Sequence, residues 1–177
     1  MGRLAPRIIV LALSLLMMVG LKQHYSQATV DDLAWILAPT AKLVALASGS
    51  PFEFEAGAGY LSREHFFLIE KPCAGINFMI AALGMLVFVF SRKVSSFAAG
   101  ARIVGVSVAL SYFSAVLVNA IRILIALWLR SHEIASEWWT TARIHRVEGI
   151  AIYFGGLMLL HLLSQRLTKV APAEAAT

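Results

Sequence analysis

Three side chains of this 177-residue chain have the residue types needed for nucleophilic chemistry: the single cysteine Cys73, Arg122 and His145. A thiol becomes a strong nucleophile as the thiolate, and a cationic neighbour favours that form. An imidazole can accept or return a proton near neutral pH. A fixed guanidinium can stabilise a thiolate or the oxyanion of an acyl-transfer intermediate. Together these residue types indicate acyl transfer through cysteine, provided that the fold brings them together.

Two further polar residues could support the same chemistry. Asn119 precedes Arg122 by three residues, which places both on one face of a helix. Its amide could orient Arg122 or donate to an oxyanion. Glu148 follows His145 by three residues and could hold His145 or Arg146. An acid near a helix start is also an ordinary stabilising choice, so this position has two interpretations.

Each of the three central residues also has a purely structural explanation. A single cysteine cannot form an internal disulfide, so Cys73 is either a small packing residue or a reactive thiol. Arg122 could extend its charged end to lipid headgroups. His145 has arginines nearby and could be one more cation at a membrane surface.

The composition indicates which kind of fold must position these residues. Apolar residues make up 59% of the chain and charged residues 14%, whereas charged residues are about a quarter of a soluble domain. We therefore predict an all-α polytopic membrane protein, because a bilayer satisfies no backbone polar group. Apolar runs at residues 8–21, 74–90, 97–129 and 148–163 predict four transmembrane helices.

The ends of the chain carry two further expectations. The first apolar run could be a signal peptide cleaved near residues 26–28. Because the rest of the chain already has several predicted spans, we expect this run to stay uncleaved as the first membrane anchor. We expect residues 1–170 to form a single integral membrane domain. The alanine-rich segment 171–177 is expected to be a disordered tail.

Residues 31–49 are apolar but interrupted by Pro39 and Lys42, and the charge distribution decides their role. If this segment crosses the membrane, either Arg92 and Lys93 or the basic N-terminus must face outward, against the positive-inside tendency. If it forms an interfacial or re-entrant helix, the basic span ends fall inside, and every acid except Glu174 falls outside. We therefore predict four spans with both termini in the cytoplasm.

This topology brings the three reactive side chains to one depth. Residues 103–121 cover roughly 28 Å of helix, close to the thickness of a hydrocarbon core, so Arg122 reaches the outer boundary. Cys73 begins its span at the outer side, and His145 immediately precedes the last span, which runs inward. We expect all three to meet the outer face of the membrane.

Two outer segments are not typical of membrane-spanning helices. Residues 51–70 combine a period-two stretch, a glycine-containing turn and a short apolar run, which predicts a small β-hairpin. The second segment, residues 130–144, carries Trp138 and Trp139, an aromatic pair suited to a membrane boundary.

Three short blocks resemble the signature motifs of the exosortase/archaeosortase family, in order and in approximate separation. They are Pro-Cys-Ala-Gly-Ile-Asn-Phe at residues 72–78, Asn-Ala-Ile-Arg-Ile at 119–123 and His-Arg-Val-Glu-Gly at 145–149. The first block is most similar to the short exosortase K type, and the similarity covers roughly residues 33–163. The chain lacks several N-terminal spans of the longest members.

The resemblance implies that Cys73 is the nucleophile, that Arg122 stabilises the thiolate or oxyanion, and that His145 is the general acid and base. Asn119, Glu148 and Gly149 would support them. Family members are polytopic cysteine transpeptidases at the outer face of the cytoplasmic membrane of bacteria. They act on exported proteins whose C-terminal tail has a Pro-Glu-Pro-type (PEP-CTERM) sorting signal, an apolar span and a basic end.

The expected partners are therefore the tail of an exported protein, an unknown acceptor nucleophile and membrane lipid, without nucleic acid. No cofactor is expected, and the His, Cys and acidic residues lack the spacing of a metal site. The competing interpretation is a membrane subunit or assembly factor of an envelope or exopolysaccharide system that has no enzymatic activity. A small transporter is a weaker rival, because no span has a charged residue at its midplane.

Overall fold

The computed structural model describes residues 4–132 and 140–170. The tryptophan pair at 138 and 139 and the tail at 171–177 lie outside the described residues. The chain is mostly helical, with five α-helices and three short strands in the described part. In chain order these are α1 (Leu4–Gln27), α2 (Ala34–Ser48), β1 (Glu53–Glu55), β2 (Gly59–Ser62), β3 (Phe67–Ile69), α3 (Ile76–Phe90), α4 (Phe97–Ser131) and α5 (Thr141–Val170).

Four helical segments in the described ranges are long and apolar enough to cross a membrane: Leu4–Gln27, Lys71–Lys93, Phe97–Ser131 and Arg143–Thr168. They coincide with the four predicted apolar runs, so the prediction of four long apolar helices is confirmed. α4 has 35 residues, which at about 1.5 Å per residue makes it longer than a hydrocarbon core is thick.

The segment at 31–49 forms a short helix. A single 3₁₀ turn, Asp31–Leu33, leads into α2, which has 15 residues and ends at Gly49 in the left-handed conformation with a φ of 74°. One face, with Ile36, Leu37 and Val44, is fully buried. α2 is shorter than the roughly 20 residues that a spanning helix needs.

The segment at 51–70 has one strand more than the predicted hairpin. It forms a three-stranded antiparallel sheet in the order β1-β2-β3, in which Phe54 pairs with Tyr60 and Leu61 pairs with Leu68. The predicted hairpin used the runs that became β1 and β3. The prediction missed β2, because Gly59 reads as part of the glycine-containing turn and the adjacent Tyr60 and Leu61 show no period-two alternation.

The chain folds into two compact units, each assembled from segments that are distant in sequence. The first unit comprises Met1–His24, Ile76–Ser114 and Gly156–Thr177, and its core contains Val10, Leu83, Val87 and Val94. The second unit comprises Tyr25–Gly75 and Ala115–Gly155.

Candidate active site

Cys73 lies in a tight turn that directly precedes α3. The turn is a 3₁₀ segment, Lys71–Ala74, and it ends at Gly75, whose φ of 67° is left-handed and separates the turn from the helix. The Cys73 N–H donates to the Glu70 carbonyl at 2.8 Å, and the residue is 7% exposed. The thiol therefore belongs to an irregular, largely buried segment in front of α3.

Lys71 ties this turn to the end of α1. Its ammonium group donates to the carbonyls of Ala28 at 2.7 Å and Ser26 at 3.3 Å, and it lies 5.3 Å from the centre of the Tyr25 ring. The last carbonyls of a helix have no partner within the helix, so a lysine is well suited to them. This contact fixes the residue two positions before Cys73.

Asn119 holds the same turn from α4. It is fully buried, and its side-chain amide N–H donates to the carbonyl of Cys73. A Cβ atom on Gly75 would lie 3.3 Å from the Asn119 side chain, so glycine here meets both the left-handed φ and the close approach. Asn119 therefore contacts the nucleophile candidate's backbone directly, a role that its spacing to Arg122 did not predict.

Arg122 is the centre of the polar network. It is 7% exposed, its Nη2 lies 2.7 Å from His145 Nε2, and its guanidinium is close enough to interact with the Cys73 side chain. A guanidinium only donates hydrogen bonds, so His145 Nε2 must accept this one. His145 then carries its proton on Nδ1.

Glu148 stands on the other side of the imidazole. Its Oε2 lies 3.4 Å from His145 Nδ1, the nitrogen that carries the proton in the tautomer above. The glutamate side chain is 6% exposed, whereas that of His145 is 48% exposed. The carboxyl group thus faces the protonated nitrogen of a half-exposed imidazole without a hydrogen bond to it, and Arg122 makes the hydrogen bond that orients the ring.

Tyr153 links Asn119 to Arg122, and the sequence analysis did not predict a site role for this residue. Its hydroxyl donates to Asn119 Oδ1 at 2.9 Å and accepts from Arg122 Nη1 at 3.3 Å. The Arg122 guanidinium carbon also lies 5.5 Å from the centre of the Tyr153 ring, within the range of a cation–π contact. Its spacing could have indicated this role, because Tyr153 follows Gly149 by four residues and so lies on the same face of α5.

Gly149 provides the space that Arg122 occupies. A Cβ atom at this position would lie 3.2 Å from Arg122 Nε, tighter than ordinary van der Waals contact. The absence of a side chain at Gly149, four residues after His145, is therefore explained by packing, because the Arg122 guanidinium lies against its backbone.

The structure brings all six predicted site residues into the second unit: Cys73, Asn119, Arg122, His145, Glu148 and Gly149. The thiol of Cys73 makes no direct hydrogen bond to His145, and Arg122 connects the two. Among the described residues, no group of three or more His, Cys, Asp and Glu side chains could hold a metal ion. The site offers a thiol, a donor-rich cation and an oriented imidazole, the groups that acyl transfer through a thioester uses.

No family model, no curated protein and no solved structure matches this chain. The assignment to a family therefore stays a prediction from the three motifs.

Proposed function

We propose that this protein is a membrane-embedded cysteine endopeptidase or transpeptidase, similar to the exosortases, that cleaves the C-terminal sorting tails of exported proteins. One observation carries the proposal: Arg122 contacts His145 and lies close to Cys73. Three helical segments of an apolar chain contribute these residues, and all but the histidine are largely buried. A buried arginine at the edge of a span is costly and tends to mark a functional site.

The proposed reaction proceeds through a thioester. Arg122 Nη2 first releases His145 Nε2, the one imidazole nitrogen that can accept a proton. The Cys73 thiol then gives its proton to Nε2 by way of water, and its sulfur attacks the scissile carbonyl carbon of the tail. Arg122 donates to the oxyanion that forms. The C–N bond then breaks, and the departing amine takes the proton from His145. An amine or water then attacks the thioester carbonyl carbon and passes a proton to His145, the C–S bond breaks, and the proton returns from His145 to the Cys73 sulfur.

We further propose that the chain lies in the bacterial cytoplasmic membrane with both termini inside and the site facing outward. Charge supports this orientation. The start of α1 and the turn after α3 border one cleft, and they bring together Arg7, Arg92 and Lys93. Nine of the ten acidic residues belong to the second unit, with the site. Positive charge favours the cytoplasmic side.

The direct test is processing of a tagged substrate that ends in a Pro-Glu-Pro-type signal, an apolar span and a basic cluster. Co-expression with the wild-type protein should release a shortened product, and Cys73→Ala should abolish that release at equal membrane abundance. Gly155→Ala is the matched control, because a Cβ there meets no atom within 4 Å. Undiminished processing by Cys73→Ala would sink the proposal.

A second candidate is a non-enzymatic membrane subunit or assembly factor of an envelope system, and the burial of Cys73 is the observation that favours it. The two candidates differ in thiol reactivity. A catalytic Cys73 should react with a thiol-directed probe faster than an ordinary exposed thiol, and Arg122→Gln should slow it. A packing cysteine should react slowly in both proteins.

A further inference from the structure

Two adjoining clefts lie at one end of the first unit, and they share no residue with the candidate active site. One has a volume of about 340 Å³ and the other about 270 Å³, and Lys93 lines both. The first is otherwise lined by Phe90, Ala99, Arg102, Ile103 and Val106, and the second by Leu4, Arg7, Arg92, Val94 and Ser95.

The clefts concentrate positive charge without any acid. Four cations line them: Arg7 from α1, Arg92 and Lys93 from the turn after α3, and Arg102 from α4. The sequence contains no Asp or Glu at residues 1–30 or 71–132. Arg7 Nε is buried and has no hydrogen-bond partner. A buried guanidinium donor is costly to leave unsatisfied, and an anion with several acceptor oxygens would satisfy it among the neighbouring cations.

The larger cleft adds an apolar surface to this charge. Ala99, Ile103 and Val106 follow one another at helical spacing along one face of α4, and Phe90 of α3 completes the lining. Arg102 lies on the same stretch of α4. A free inorganic anion would gain nothing from the apolar lining, whereas a molecule with a charged head and a hydrocarbon chain would use both parts.

We propose that the two clefts form one binding site for an anionic phospholipid. The phosphodiester group lies among Arg7, Arg92 and Lys93, and one acyl chain runs along the groove beside Phe90 and Val106. Lys93 borders both clefts and so links the headgroup to the chain. This inference is independent of the proposed peptidase activity, because no residue of the candidate active site takes part.

The test uses the purified full-length protein in nanodiscs of phosphatidylcholine, with phosphatidylglycerol titrated in and thermal unfolding as the readout. Phosphatidylglycerol should raise the Tm saturably at low mole fraction. Lys93→Gln should weaken this apparent affinity about fivefold, the size expected when one cation near an anionic lipid is lost. Arg166→Gln removes the same charge from an exposed position in the same unit, outside both clefts, and should leave the affinity unchanged.

Two further arms identify the ligand. Ala99→Trp fills the apolar groove and should abolish the preference for phosphatidylglycerol while the cations remain. Inorganic phosphate at equal concentration should give little protection. The proposal is overturned if Arg166→Gln weakens the response as much as Lys93→Gln does. Equal protection by phosphate would identify a free-anion site instead. Failure of tail processing would leave these measurements unaffected, since they contain no substrate.

Discussion

The two units of the molecule bury polar groups in different ways. Among the described residues, every buried polar residue of the first unit is a serine: Ser14, Ser91, Ser107, Ser111 and Ser164. Four of them donate to a carbonyl three or four residues earlier in the chain. The second unit also buries Thr40, Ser50 and Ser62, but it adds Asn119 and Arg122, whose partners lie on other elements, and Glu148, which faces His145 on its own helix.

Charge divides in the same way. The first unit holds eight of the fifteen Lys and Arg residues but one of the ten acids, and the second holds seven and nine. A serine whose hydroxyl donates to a carbonyl of its own helix needs no hydrogen-bond partner from another element. A buried guanidinium, in contrast, has more donors than its own helix can satisfy. Burying the polar side chains of Asn119, Arg122 and Glu148 costs the second unit stability, as the polar groups of a reactive site generally do. The first unit instead has an apolar core and a surface rich in Lys and Arg.

The largest expected effect tests the apolar core of the first unit. Leu83 is 1% exposed and belongs to that core. Leu83→Ala should lower the free energy of unfolding by about 2–5 kcal/mol, because it removes buried methyl groups and leaves a cavity. The measurement is unfolding in mild detergent. Processing per folded molecule should stay at the wild-type level. A specific loss of activity in a fully folded Leu83→Ala protein would contradict the separation of roles between the units.

The next effect tests the polar network of the second unit. Arg122→Lys keeps the positive charge but loses the planar fork that reaches His145 and Tyr153 together. The rate of tail processing should fall by about 10²–10³, the cost of losing one oriented oxyanion donor. Arg130→Lys changes an exposed arginine of the same helix and is the matched control. Wild-type activity in Arg122→Lys would mean that only charge matters at this position.

A smaller effect is expected where the backbone of α5 makes room for Arg122. In Gly149→Ala the new Cβ lies 3.2 Å from Arg122 Nε, so the guanidinium must shift by well under 1 Å. Processing should fall about tenfold, because reaction rates depend steeply on the placement of catalytic groups. Gly155→Ala, on the same helix with nothing within 4 Å, should behave as wild type. Equal losses in the two variants would point to helix packing rather than to Arg122.

The smallest effect concerns Tyr153. Tyr153→Phe keeps the ring under the guanidinium but removes the hydroxyl that joins Asn119 to Arg122. We expect kcat to fall about fivefold, equivalent to about 1 kcal/mol, with KM unchanged, because the two lost hydrogen bonds position Arg122 and Asn119 and do not contact substrate. Kinetics on a tail peptide would separate the two constants. A change confined to KM would assign Tyr153 to substrate contact instead.

Part of this site follows from the sequence because it depends on local features. Long apolar runs predict helices at any position in a membrane, and four of them are present. The residue types of Cys73, Arg122 and His145 indicate their chemistry before any fold is known. β2 and the 3₁₀ turn at Cys73 were not predictable in the same way, because neither Gly59–Ser62 nor Lys71–Ala74 shows a periodic pattern of apolar residues.

The sequence by itself determined which segments are helical, which residues can react and where the positive charge lies, since composition and spacing carry that information. Only the tertiary structure decided which side chains touch. It paired Arg122 with His145, directed Asn119 to the Cys73 carbonyl and introduced Tyr153 between them. Those contacts join residues 23 to 46 positions apart, and helical spacing relates only residues within a few turns. Equal depth in a membrane brings residues to one level, but packing of the helices makes them neighbours.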